Sequence, residues 1–270
     1  MKWLRLIVMG AVICALGVGS LQAALVSYYT FDDAADLGAD ATGTNNGTPV
    51  GDATQGPGKV GAGSLVLDGD GDIVNVAGAA SFDAVDDDGD GWTLAAWVKT
   101  PADATGDDGV MRVFSMYNPT ATWMGEGWGL GVDRADPAQE KVMSTTYGIV
   151  DMRHDSDPLP DDEWAHLAYV YQNDGGNVAT DFYVNGVLLG TTTTGSGFGI
   201  NDTTNDYVIG ALGFSGHTQF WQGSIDELRV YDTPLTADQI GALVPEPTSF
   251  VLFGIGLSLV LAGFARKNRK

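Results

Sequence analysis

WTLAAWVK (residues 92–99) and WAHLAYVYQ (164–172) decide the fold. In each run the large apolar residues recur at every second position, the period of a strand with one face in a core. Neither shows the three-to-four-residue spacing of a helix. Similar short runs extend outward on both sides: LVSYYTF (25–31), SLVLDG (64–69), DIVNV (72–76), VMRVFSMY (110–117), WGLGV (128–132), VMSTTYGIV (142–150), ATDFYVNG (179–186), YVIGAL (207–212) and FWQGSIDELRVYD (220–232). Asn185-Gly186, between DFYV and VLLGT, predicts a type I′ hairpin, because both turn residues must accept positive φ. One short helix is predicted in DTPLTADQIGALV (232–244), where Thr236 and Gln239 have capping-box spacing and Ile240 and Leu243 can face a sheet. The expectation is an all-β, two-sheet jellyroll sandwich forming one domain over residues 24–243.

The two ends read differently. MKWLR followed by LIVMGAVICALGVG and SLQAA has the basic, apolar and small-residue order of a secretory signal, so residues 1–23 are expected to be removed by signal peptidase. The single cysteine, Cys14, falls inside that segment, and the mature chain then forms no disulfide or thiolate site. Residues 244–270 combine Pro245-Glu246-Pro247, an apolar stretch and the basic end RKNRK. As a helix, 250–265 rises ~24 Å against a hydrocarbon core of ~30 Å, so a short transmembrane helix needs its terminal Lys and Arg to snorkel. It is the chain's expected membrane contact.

Charge removes one class of partner. The chain carries 13 basic and 35 acidic residues, a net −22. Between the two terminal segments, over residues 24–265, seven basic residues face all 35 acids, a net −28. Nucleic acid, which needs a basic surface to displace phosphate counterions, is excluded as a partner. The excess of Asp over Glu suits turns and cation-binding loops.

LVSYYTFDD, GTNNGTP, GAGSLVLDGDGDIVNV, WTLAAWVKT, EWAHLAYVYQ, DFYVNGVLLGT and FWQGSIDELRVYDTPLTADQI occur in that order. The series resembles the LamG-like, concanavalin A-like jellyroll family. That resemblance implies a lectin-type or adhesive surface module. It also implies a structural Ca²⁺ between the first loop and the last long strand, held by Asp32, by carbonyls around Asn46 to Thr48, and by Asp226. The tail resembles the PEP-CTERM sorting signal of Gram-negative bacteria. This implies processing by an exosortase-type membrane protease near 245–248 and delivery to the cell surface or extracellular matrix. Physics alone allows a permanent single-span anchor instead.

The chemistry-bearing motifs point away from catalysis. Glycosidases on related sandwiches place carboxylates in E-x-D-x-E or E-x-D-x-x-E, and this chain has neither pattern. The expectation is that the protein is not an enzyme. Asp86, Asp88 and Asp90 before Gly91 match the start of an EF-hand loop and form a second metal candidate, but Trp97 stands where the bidentate Glu belongs. Asp68, Asp70 and Asp72 are read as a hairpin turn. Trp97, Trp164 and His166 are read as structural. Trp123 in NPTATWMGEGWG and Trp221 in HTQFWQG are the candidate exposed platforms for a glycan or polysaccharide, with Asn118 and His217 beside them. The alternatives are a purely structural acidic matrix component, or a glycoside hydrolase or lyase with a noncontiguous carboxylate site.

Overall fold

A computed structural model describes residues 23–78, 91–117, 128–136, 140–146, 150–155, 159–173, 178–194, 206–213 and 216–244. They form two antiparallel sheets face to face, the expected jellyroll sandwich. The larger sheet contains β1 (Leu25–Tyr29), β3 (Thr54–Gly56), β4 (Ser64–Asp68), β6 (Gly91–Lys99), β11 (Ala165–Asn173), β12 (Val178–Val184), β13 (Val187–Thr194) and β17 (Gln222–Tyr231). Its order is β13-β12-β11-β6-β17-β4-β3, with β1 also pairing β17. The smaller contains β2 (Gly47–Val50), β5 (Ile73–Val76), β7 (Val110–Tyr117), β8 (Trp128–Asp133), β9 (Lys141–Thr146), β10 (Val150–Asp155) and β14 (Asp206–Ile209), in the order β10-β9-β8-β7-β14-β5-β2. A miniature pair, β15 (Leu212–Gly213) and β16 (His217–Thr218), stands apart.

Alternation places the core. Trp92, Leu94, Ala96 and Val98 of β6 pack between the sheets with Leu167, Tyr169 and Tyr171 of β11. Both faces of β6 are nonetheless buried, which its alternation does not announce. The outer face is covered because the chain returns over it. Ala95, Ala168, Val170 and Tyr183 lie beneath Leu235 and Ile240. Ile240 belongs to helix α1 (Ala237–Ala242), which starts from a complete capping box between Thr236 and Gln239. The Asn185-Gly186 turn takes φ of 50° and 79°, as a type I′ hairpin requires.

Two local features set up the site. Residues 68–72 do not close a hairpin: β4 and β5 lie in different sheets, so this Asp-Gly-rich turn crosses from one to the other. Further on, β17 carries a bulge, with register shifting between Asp226 and Arg229 and with Glu227 at φ 53°. A bulge inserts one residue and breaks the alternation. Here it leaves Asp226 facing outward beside Trp97, while Leu228 and Val230 resume the inward phase.

Candidate functional site

Asp226, Trp97 and His166 form a row across β17, β6 and β11, since Trp97 is the cross-strand partner of both others. The row lies on the outer face of the larger sheet, yet all three are buried, Asp226 and His166 completely. The loop before β4 closes over it. Asp226 Oδ2 accepts the backbone N–H of Lys59 at 2.7 Å and of Val60 at 3.0 Å, and the Lys59 ammonium sits 4.5 Å from the centre of the Trp97 ring. Asp226 Oδ1, Trp97 Nε1 and both ring nitrogens of His166 have no hydrogen-bond partner in the protein. Burial pushes the Asp226 carboxyl up to about 6, against the opposing pull of the Val60 and Lys59 amides. Burial, reinforced by the Arg229 guanidinium, holds His166 down at about 4, so its ring is neutral at physiological pH.

The same loop holds Asp32, whose Oδ1 accepts the N–H of Ala62 and, at 2.9 Å, of Gly63. The structure therefore ties the two carboxylates of the expected Ca²⁺ set to one short segment, residues 59–63. The expected carbonyl ligands around Asn46 to Thr48 lie at and just before the start of β2. Asn46 Oδ1 accepts the Asp40 N–H at 2.9 Å, and Thr48 pairs with Asn75 of β5 in the other sheet. An orphaned, fully buried carboxylate oxygen, with a second, exposed carboxylate held by the same loop, suits a hard cation. Asp32 and Asp226 fit the group; Asn46 and Thr48 are not linked to them by any contact in the described structure.

The expected aromatic platform is corrected. Trp221 is fully buried in the core, with its backbone N–H donated to Gly210 O at 2.7 Å. Adjacent residues on an extended chain point to opposite sides, and Phe220 takes the outer one, half-buried against Ile73, Val208 and Ala211. His217 is half-buried on β16, and burial lowers its pKa. The β15–β16 hairpin lies on the outer face of the smaller sheet: Ser115 Oγ donates to Ala211 O and Arg112 Nε to Gln219 Oε1. Trp123 and Asn118, and the Asp86, Asp88 and Asp90 loop, lie outside the described residues, as do Pro245, Glu246 and Pro247. Of the tryptophans read as core, Trp97 is buried outside the sandwich interior, while Trp164 precedes β11 half-exposed, its ring 5.3 Å from the Lys99 ammonium.

The remaining buried carboxylates have structural partners. Glu227 accepts from Tyr28 Oη and from Arg229, and Glu140 pairs with Arg134 while accepting the Leu159 N–H. Asp40 takes the N–H groups of Tyr28, Thr42 and Asn45. Asp72 takes those of Asp52 and, weakly, Asp68. Asp52, Asp68 and Asp72 also bring their carboxylate oxygens within 4.8 Å of one another, a cluster missed in the sequence because Asp52 lies a whole β3–β4 hairpin away. Among the described residues, Asp226 Oδ1 is the one buried carboxylate oxygen without a partner.

Comparison with known proteins agrees with this architecture. No curated protein matches the chain. The receptor-binding domain of a botulinum neurotoxin C/D mosaic serotype is 13% identical, with a TM-score of 0.58 over 82% of this chain and 50% of that one. The binding domain of botulinum neurotoxin serotype D is 14% identical, with a TM-score of 0.54 over 82% and 51%. This chain thus spans about half the length of each. The Ruminococcus gnavus IT-sialidase CBM40 is 18% identical, with a TM-score of 0.48 over 62% and 88%. The PEP-CTERM protein-sorting motif matches residues 243–270. Among the described residues no helix is long and apolar enough to cross a membrane. The profile of the concanavalin A-like lectin/glucanases superfamily matches residues 68–241, and β1 to β4 complete the same sandwich ahead of that match, so the chain belongs to this superfamily.

Proposed function

We propose that this is an exported, non-catalytic binding module, sorted to the cell surface or extracellular matrix by an exosortase-type protease, that recognises a glycan or matrix polysaccharide. The observation that carries the reading is the junction of two matches: a lectin/glucanase jellyroll running directly into a protein-sorting motif at residue 243. Among the described residues, the commitment of four of the five buried acids to structural partners supports the non-catalytic half of it. A retaining or inverting glycosidase needs two opposed carboxyls ~5–9.5 Å apart with one free to donate a proton. The ligand face we favour is the outer side of the smaller sheet, where the hairpin bearing His217 and Phe220 lies. The strands flanking Asn118 and Trp123, β7 and β8, belong to that sheet. Calcium at Asp32 and Asp226 would brace the opposite face. Bound there, it would neutralise a buried carboxylate and fix the loop over β17, without chemistry of its own.

Two measurements test this. The first is a glycan-array screen of the purified protein in calcium and again in EDTA, with a melting curve for each. Binding to a defined polysaccharide is expected, and calcium at about 100 times its dissociation constant should contribute about 2.7 kcal/mol of stability. Silence on the array would favour the acidic structural role, a reading to which the burial of Trp221 lends weight. Identical melting curves would remove the cation. The second is the intact mass of surface-extracted protein: it should lack RKNRK, and a full-length C-terminus would overturn exosortase processing.

A further inference from the structure

The last described residues return to one end of the larger sheet. Helix α1 packs beside β13, and Val244, two residues past the helix, reaches the turn of the β12–β13 hairpin. A methyl group added at Gly186 would meet Val244 Cγ2 at 3.4 Å and Gly241 Cα at 3.5 Å. Next to that turn stand Val187 and Leu188, 65% and 47% exposed, the two most exposed large apolar side chains among the described residues. Neighbours on a strand point to opposite faces. Leu188 lies opposite Tyr183, which belongs to the outer face covered by α1, so Val187 takes the other phase. The tip is therefore apolar on both sides.

Charge is missing from the same place. Residues 182–194, FYVNGVLLGTTTT, and 239–244, QIGALV, contain no charged side chain, in a chain with 35 acids and 13 bases. A single exposed Val or Leu needs no explanation, but an uncharged apolar pair at the point where the chain leaves its domain does. A groove for a helix or a strand would present one apolar face. A tip that is apolar on both sides fits a lipid interface, which it enters end-on. The chain beyond the tip supplies that surface. Six residues lead from Val244 to Phe250, where the apolar stretch of the sorting motif begins, and they extend about 20–22 Å at most.

We propose that the β12–β13 tip, through Val187 and Leu188, rests in the surface of the membrane into which the chain's own tail inserts. This second contact holds residues 245–248 at the membrane surface, where an integral protease reaches them. It is apolar rather than electrostatic, so it needs neither anionic lipid nor low salt. The proposal rests on the reading that the tail enters a membrane before it is processed.

The test uses the full chain carrying Cys14→Ser, since Cys14 is its only cysteine, reconstituted in vesicles of neutral phosphatidylcholine. A nitroxide attached after Val187→Cys should collide more with dissolved oxygen and less with a water-soluble nickel chelate than one attached after Thr193→Cys. Thr193 is exposed on the same strand, ~20 Å from the tip. Adding Leu188→Asp to the Val187→Cys chain should abolish that difference, because a carboxylate resists leaving water. A label at 187 as wet as the one at 193, on a chain that floats with the vesicles, overturns the tip contact alone. A label that stays in lipid despite Leu188→Asp was carried there by its own tether and overturns it too. A chain that does not float with the vesicles refutes insertion of the tail, and the tip contact falls with it.

Discussion

Trp221→Ala is expected to cost about 3–5 kcal/mol of folding stability, the usual penalty for emptying a fully buried tryptophan site. For a domain of this size that is a fall in melting temperature of ~6–20 °C, read by calorimetry or near-ultraviolet circular dichroism. The side chain is wholly buried in the main core, next to the strand end where Gly210 O accepts its backbone N–H. Its indole nitrogen has no partner there, so what is lost is packing rather than a hydrogen bond. Trp221→Phe should therefore recover more than half of the loss. The opposite pattern, an unchanged melt with abolished glycan binding, would show that Trp221 is a surface platform and that the core position is wrong. Phe220→Ala, on the outer side of the same segment, should melt close to the wild type and is the better probe of ligand contact.

The Phe220–Trp221 pair shows where the sequence stops being informative. Period-two patterning says that the two residues face opposite ways but not which faces the core, and the bulge of β17 just beyond, between Asp226 and Arg229, means that the strand as a whole does not keep one phase. By contrast, the Asn185-Gly186 turn and the Thr236–Gln239 cap were legible because each is a local device whose chemistry is complete within four residues. The strands were legible for the same reason. Burial of the outer face of β6 was not, since it depends on Leu235 and Ile240 returning more than a hundred residues later. The Asp68–Asp72 turn has a hairpin's composition, and only long-range pairing shows that it passes between sheets. Of the cation set, Asp32 and Asp226 converge through a loop, 59–63, that drew no attention in the sequence because its contribution is backbone N–H groups. Asn46 and Thr48 came from family likeness alone; Thr48 lies opposite Asn75 of β5 and the Asn46 side chain accepts from Asp40.

The Asp226–Trp97–His166 row gives the second large effect, a pair of opposed pH dependences measured in EDTA. Asp226 titrates at about 6 in the folded protein against an ordinary 3.8. Between those values the folded state holds a proton that the unfolded state has released. Its contribution is thus full below pH 3.8 and is lost as pH rises through 6, about 3 kcal/mol in all. His166 runs the other way, titrating at about 4 against an ordinary 6.5. Its contribution is full above pH 6.5 and is lost as pH falls through 4, again about 3 kcal/mol. Over pH 4–6 the two slopes cancel, and as far as this row is concerned wild-type stability should be nearly flat. His166→Gln should unmask Asp226, with the melting temperature rising ~6–12 °C as pH falls from 6 to 4. Asp226→Asn should unmask His166, with a fall of similar size over the same interval. Parallel slopes in the two variants would refute the assignment. Calcium supplies an independent check on the cation reading, because an ion on Asp226 would keep its carboxylate ionised across the window. Calcium-saturated wild type should then lose stability as pH falls, as Asp226→Asn does, while Asp226→Asn itself should not respond to calcium at all.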